Sequence, residues 1–228
     1  MKKIVITLFT TLILLASCTA NRGFVSTVTC ADIQSMPQFE ILTNISYIEQ
    51  GNRLYYSDSL TTVAKELFDT ALANDTILPI TETLVINDSI VNDMVQYEIH
   101  ELMRALSAKM RIKQLPIPPT IDSILCARNE RFGLLVYNYG FTRSEKNYTR
   151  QMAKGVAKTI AIGILSMGTL IAMDVPYQYM TRSGMIVWDA ENHKIAYVAT
   201  AERESNPLDP ETYQKQLKDL LKAYQKKK

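Results

Sequence analysis

The chain has 228 residues, with 25 basic and 23 acidic side chains and two histidines. So even a balance leaves no footprint for nucleic acid, which needs a basic patch to displace counterions. The length suits one large domain or two small ones, and without a Pro/Gly/Ser-rich linker or an internal repeat it reads as one.

Met1, Lys2 and Lys3 make a short cationic start, and Ile4 to Leu15 is apolar apart from three threonines. That run is as long as a signal-peptide core and short of the ~20 residues that span a bilayer. It ends in Leu15-Ala16-Ser17-Cys18, which resembles the lipobox of bacterial lipoproteins. An ordinary secretory signal is the other reading. The resemblance implies cleavage before Cys18 and acylation of its thiol, giving a signal peptide over 1–17 and a membrane contact through lipid. Thr19, where an Asp would favour the inner membrane, points to the outer membrane. The absence of an acidic run over residues 19–23 points to a periplasm-facing protein. Residues 18–36 are polar and read as a tether, leaving 37–228 as the globular domain. Cys30 and Cys126 are candidates for a disulfide, which the periplasm permits, and unpaired thiols fit equally well.

Phe39–Ile48 reads as a strand, closed by a turn at Gly51-Asn52. Asp58-Ser59 caps a helix whose Leu60, Val63, Ala64, Leu67, Phe68, Ala71 and Leu72 repeat at i, i+3, i+4 and i+7. Thr76–Ile86 is rich in β-branched residues and reads as a strand. Asn87-Asp88 caps a longer helix reaching about Met110, with Ile90, Val91, Met94, Leu102, Ala105 and Leu106 as a broad apolar arc. Glu98 falls inside that arc without an evident reason. Pro116, Pro118 and Pro119 break the chain, and Pro119 opens a short helix to Arg128. Arg131–Thr142 begins apolar on both faces, the pattern of a central strand.

Thr159–Met173 carries no charge and lies in an apolar insert over 152–175. One reading is a buried helix or a Gly-broken hairpin. The other is a membrane-docking or oligomer-forming element, with Ile160, Ile162, Ile164, Leu165, Leu170 and Ile171 as its contacts. Gly184–Asp189 and Lys194–Thr200 then form a hairpin about Ala190–His193. Asp209 and Pro210 open a last helix with Tyr213, Leu217, Leu220, Leu221 and Tyr224 on one stripe. The expected fold is α/β (α+β): a single domain with a mixed sheet packed by helices, a late hairpin and a C-terminal amphipathic helix.

With Phe132–Tyr137 as the strand after a helix and Trp188-Asp189 at the late hairpin, the domain resembles small envelope lipoproteins of the curli-secretion and penicillin-binding-protein-activator kind. The resemblance implies an assembly or accessory role, with an envelope protein or a second copy as partner and no cofactor. The apolar insert departs from that pattern. Asp-Ser/Thr-apolar recurs at Asp58, Asp69, Asp75, Asp88 and Asp122; it is similar to an O-glycan acceptor signal of some bacterial envelope proteins, and helix capping accounts for several of the same residues.

The residues offer little catalysis. His100 lies on a polar helix face with Asp93, Gln96 and Arg104, and His193 lies in a hairpin loop beside Asp189 and Glu191. Neither has a nucleophile or zinc-ligand spacing beside it. A hydrolase would need paired carboxylates, and Glu40, Asp189 and Glu202 are the places to look. A carrier would hold an apolar ligand behind Thr159–Met173.

Overall fold

In the computed structural model, residues 22–25, 30–108, 115, 117–165 and 176–225 are described, with side chains of 22–25, 107, 156–165, 223 and 225 excepted. Eight strands and five helices of these residues form a single α/β domain: β1 Arg22–Val25, β2 Met36–Phe39, β3 Leu42–Ile48, β4 Tyr55–Tyr56, α1 Asp58–Ala73, β5 Ile80–Leu84, α2 Ser89–Ser107, α3 Pro119–Ala127, β6 Phe132–Arg143, α4 Glu145–Leu165, β7 Tyr179–Asp189, β8 Lys194–Arg203 and α5 Pro210–Gln225. The sheet runs β1-β8-β7-β6-β2-β5, and β3 joins β6 beyond β2 and carries β4 on its outer edge.

β6 is the spine of this sheet. It pairs antiparallel with β7 along its length and parallel with β2 and β3 on its other side. Its residues alternate between two cores. Phe132, Leu134 and Val136 face α1 and α5, packing with Phe68, Tyr213 and Leu217. Leu135 and Tyr137 face α2 and α3, packing with Ile99, Leu102 and Leu125. Burial on both faces is why the strand begins as an unbroken apolar run.

Several elements differ from expectation for identifiable reasons. The first strand is two: β2 has β5 as its outer neighbour and β3 has β4, and the chain breaks between them at exposed Glu40 and buried Ile41. The first helix is capped one residue earlier, by Ser57, whose Oγ accepts from Leu60 N at 3.4 Å. The domain also takes in part of the segment expected as a tether. β1 pairs antiparallel with β8, from Arg22 opposite Thr200 to Val25 opposite Tyr197, and Ile33 and Met36 are buried in the core. With only four residues, Arg-Gly-Phe-Val, β1 is too short for an alternating pattern to announce a strand.

Four buried tyrosines make the fold sensitive to alkali. Burial pushes the hydroxyls of Tyr213 and Tyr224 up to about 12, and raises those of Tyr137 and Tyr197 further. An unfolded tyrosine ionises near pH 10. Above that pH the unfolded chain binds fewer protons than the folded one, so stability falls as pH rises, by about 1.4 kcal/mol per pH unit for each tyrosine. We expect the denaturation midpoint to hold below about pH 9.5 and drop steeply between about pH 10 and 12, with the phenolate absorbance of these four tyrosines appearing only as the chain unfolds. Early, uncooperative ionisation of these tyrosines would contradict the packing described.

Candidate interaction surface

α2 presents two apolar stripes. Asp88 caps it, its Oδ1 accepting from Ile90 N at 2.9 Å and Val91 N at 3.1 Å. Val95, Ile99, Leu102 and Ala105 face the sheet and are buried. Ile90, Met94 and Tyr97 point the other way and are 72%, 51% and 67% exposed. This corrects the expected arc, which placed Ile90 and Met94 on the core side. The outward stripe, with Ile117 (48% exposed), Pro118 and Pro119, lines a groove of about 690 Å³ rimmed by Asp93, Glu98 and Glu101.

Glu98 has a role that the sequence did not reveal. Both its carboxylate oxygens lie 3.0 Å from Thr120 N, and Oε1 accepts from Thr120 Oγ1 at 2.6 Å. Pro118, at the N-cap of α3, has no side chain that can accept a hydrogen bond, so the cap comes from α2 instead. The negative charge also opposes the positive end of the α3 dipole. One carboxylate thus fastens the two walls of the groove. Glu101 is paired with Arg104.

The second exposed feature is α4. Lys146, Arg150 and Lys154 are exposed along one side, with Thr149 and Ala153 exposed between them. Its start is held by Arg143, which is 6% exposed. The guanidinium donates to Tyr177 O at 3.1 Å, Asn147 Oδ1 at 2.7 Å, Asn52 Oδ1 at 3.1 Å and Gly51 O, and Asn147 Nδ2 donates to Glu49 O at 2.9 Å. Gly51 has φ +59°, a left-handed turn that turns its carbonyl towards the arginine and suits glycine. Ile160, Ile162, Ile164 and Leu165 fall within the α4 backbone, without described side chains, and Leu170, Ile171 and Cys18 lie outside the described residues.

The acids considered for hydrolysis stand apart. Glu40 pairs with Lys65 and Glu202 with Arg182. Asp189 pairs in register with Lys194 and Glu202 with Arg182, which puts them roughly 25 Å apart at strand spacing. Asp189 is fully buried and serves the hairpin turn, accepting from Asn192 N at 3.2 Å and Nδ2 at 2.9 Å. His193, at φ 47°, hydrogen-bonds Asp122 Oδ2 through Nδ1 at 2.6 Å, and Trp188 Nε1 donates to Asp122 Oδ1 at 3.3 Å, so the hairpin is tied to α3. His100 is exposed. No cluster of three metal-ligating side chains occurs among the described residues.

Cys30 packs against the α1/α5 core, whereas Cys126 is exposed on α3, across the sheet. A disulfide needs Cα atoms within about 7 Å, and this arrangement does not bring the two together. The hydroxyl-bearing residues of all five Asp-Ser/Thr-apolar triplets, Ser59, Thr70, Thr76, Ser89 and Ser123, are exposed. No helix among the described residues is long and apolar enough to cross a membrane.

The sequence matches no family model and no curated protein. Among solved structures, the chain is similar to a PelC dodecamer from Paraburkholderia phytofirmans, at 9% identity and TM-score 0.37 over 90% of this chain and 96% of that one. It is also similar to the LpoB C-terminal domain from Salmonella enterica, at 8% identity and TM-score 0.30 over 79% of this chain and 88% of that one. A DUF4136 family protein from Bacteroides thetaiotaomicron matches at 7% identity and TM-score 0.27 over 91% of this chain and 98% of that one. Likeness at these scores carries no argument about what the protein does.

Proposed function

We propose that this protein is a lipid-anchored cell-envelope factor, held at the outer membrane facing the periplasm, that works by binding another protein and not by catalysis. The observation that carries the reading is the exposed apolar stripe of α2. Ile90, Met94, Tyr97 and Ile117 gather several large apolar side chains on one patch, the composition of a protein-binding surface. The address supports it. Cys18 lies four residues before β1, a span of at most about 14 Å, so an acyl chain there would keep the β1 edge of the sheet close to the headgroups.

Two measurements test the reading. A photo-crosslinking amino acid in place of Tyr97 in living cells is expected to give a discrete adduct of higher mass, where the same group in place of exposed Lys215 gives none. Equal, diffuse labelling at both positions would remove the groove as a binding surface. Separately, Cys18→Ala carrying a cleavable secretory signal is expected to lose acyl labelling and leave the membrane fraction. Retention in the membrane would show that lipid is not the anchor.

A further inference from the structure

Resting on the groove as a binding surface, we infer that its occupant is a second copy of this chain: the basic face of α4 in one protomer lies along the α2 groove of the next. The two surfaces match in charge, spacing and shape. On α2, Asp93 and Glu101 are eight residues apart, about 12 Å along the helix axis, with Tyr97 midway. On α4, Lys146 and Lys154 are also eight residues apart, with Arg150 midway. From Lys146 to Met173 the chain has no acidic residue, so nothing on α4 past its first position opposes that charge. Arg104 neutralises part of the groove's charge at Glu101, and Asp93 and Glu98 keep the rim acidic.

The shapes are complementary as well. The groove offers large side chains, Ile90, Met94 and Tyr97, whereas the exposed side of α4 has small ones, Thr149 and Ala153, between its bases. Large residues on one helix set into a seam of small ones on another allow close approach of the axes. Within one protomer, α4 does not pack extensively along α2 among the described residues. Arg143 and Asn147 fix its start at the far end of β6. Helix and groove are different surfaces of the same chain, so two copies can exchange them reciprocally, or each copy can give its helix to one neighbour and its groove to another; in either arrangement every copy uses both surfaces.

The test uses the full-length chain purified in a neutral detergent, with sedimentation velocity as the readout. The native chain is expected to sediment as an assembly that dissociates in about 1 M salt, where charges are screened beyond about 3 Å. A groove variant, Asp93→Lys with Glu101→Lys, and a helix variant, Lys146→Glu with Lys154→Glu, should each associate roughly ten-fold or more weakly. Mixed one to one, they should assemble again, because each reversed surface then meets its complement on the other variant. Matched thermal midpoints for both variants show that they are folded. The inference is overturned if the native chain is monomeric at about 100 μM, if either variant alone associates as tightly as the native chain, or if the mixture of folded variants associates no better than each variant alone. A Tyr97 adduct with the mass of a different protein would overturn the second copy while leaving the groove as a binding site.

Discussion

Gly184→Val will yield little folded protein. Gly184 lies opposite Tyr137 on neighbouring strands at the middle of the sheet. A Cβ there would sit 1.9 Å from Tyr137 Cζ and 2.1 Å from its hydroxyl oxygen. The ring cannot swing aside freely: Tyr137 is 1% exposed, and its ring centroid is 5.8 Å from that of Tyr139. Gly184→Ala is therefore expected to cost more than about 3 kcal/mol, and valine enough to exceed the stability of an ordinary domain. The cause can be isolated by shortening the tyrosine. Tyr137→Leu alone should cost about 2–3 kcal/mol through lost packing, and the Gly184→Ala, Tyr137→Leu pair less than the two single costs added. Additive costs would show that glycine is required there for some reason other than the ring.

The second large effect is at Arg143. This arginine is buried with only neutral oxygens for partners: two backbone carbonyls and two asparagine side chains. Burial lowers its pKa, but the guanidinium remains charged at neutral pH. Arg143→Met keeps most of the volume and leaves those oxygens without a donor, an expected loss of about 3 kcal/mol. Lysine should recover only part of it, because one ammonium cannot reproduce the fork that reaches four acceptors. The damage should also be local. Hydrogen exchange is expected to quicken most in the 49–53 turn and the first turn of α4, while the β6–β7 pairing loses no more protection than the fall in global stability. A uniform rise in exchange would mean that Arg143 contributes to global stability without specifically holding α4.

How much of this was legible in the sequence depended on periodicity. β6 announced its central place because it is buried on both faces, and α1 and α5 each carry a single apolar stripe. Asp209 and Pro210 open the last helix as capping rules require, with Asp209 Oδ1 accepting from Glu211 N at 3.0 Å. α2 misled because it has two stripes, and an apolar residue carries no mark of which one faces the core. The usable signal was the second stripe itself, since a surface helix that buries one face has no need of another. Glu98 breaks the apolar arc of α2, but its partner Thr120 lies on another helix, and only the folded chain brings them together. Arg143 likewise draws its acceptors from both sides of the sheet's end, so no window of sequence contains the network. β1 is only four residues long, too short for any period to show in the sequence, and its partner β8 lies far along the chain.

The pairing of β1 with β8 has a bearing on the order of events as the chain is made. Arg22 meets Thr200, so one margin of the sheet is assembled from segments far apart in the polypeptide. A chain emerging amino end first exposes the β1 segment long before its partner exists, and the domain can complete its sheet only once β8 has been made. Contacts so distant in sequence make folding slow. Were such a chain carried across a membrane as an extended thread, as the proposed role requires, the delay would be an advantage: the chain would stay translocatable until β8 has been made, and only then would its final strand pairing close.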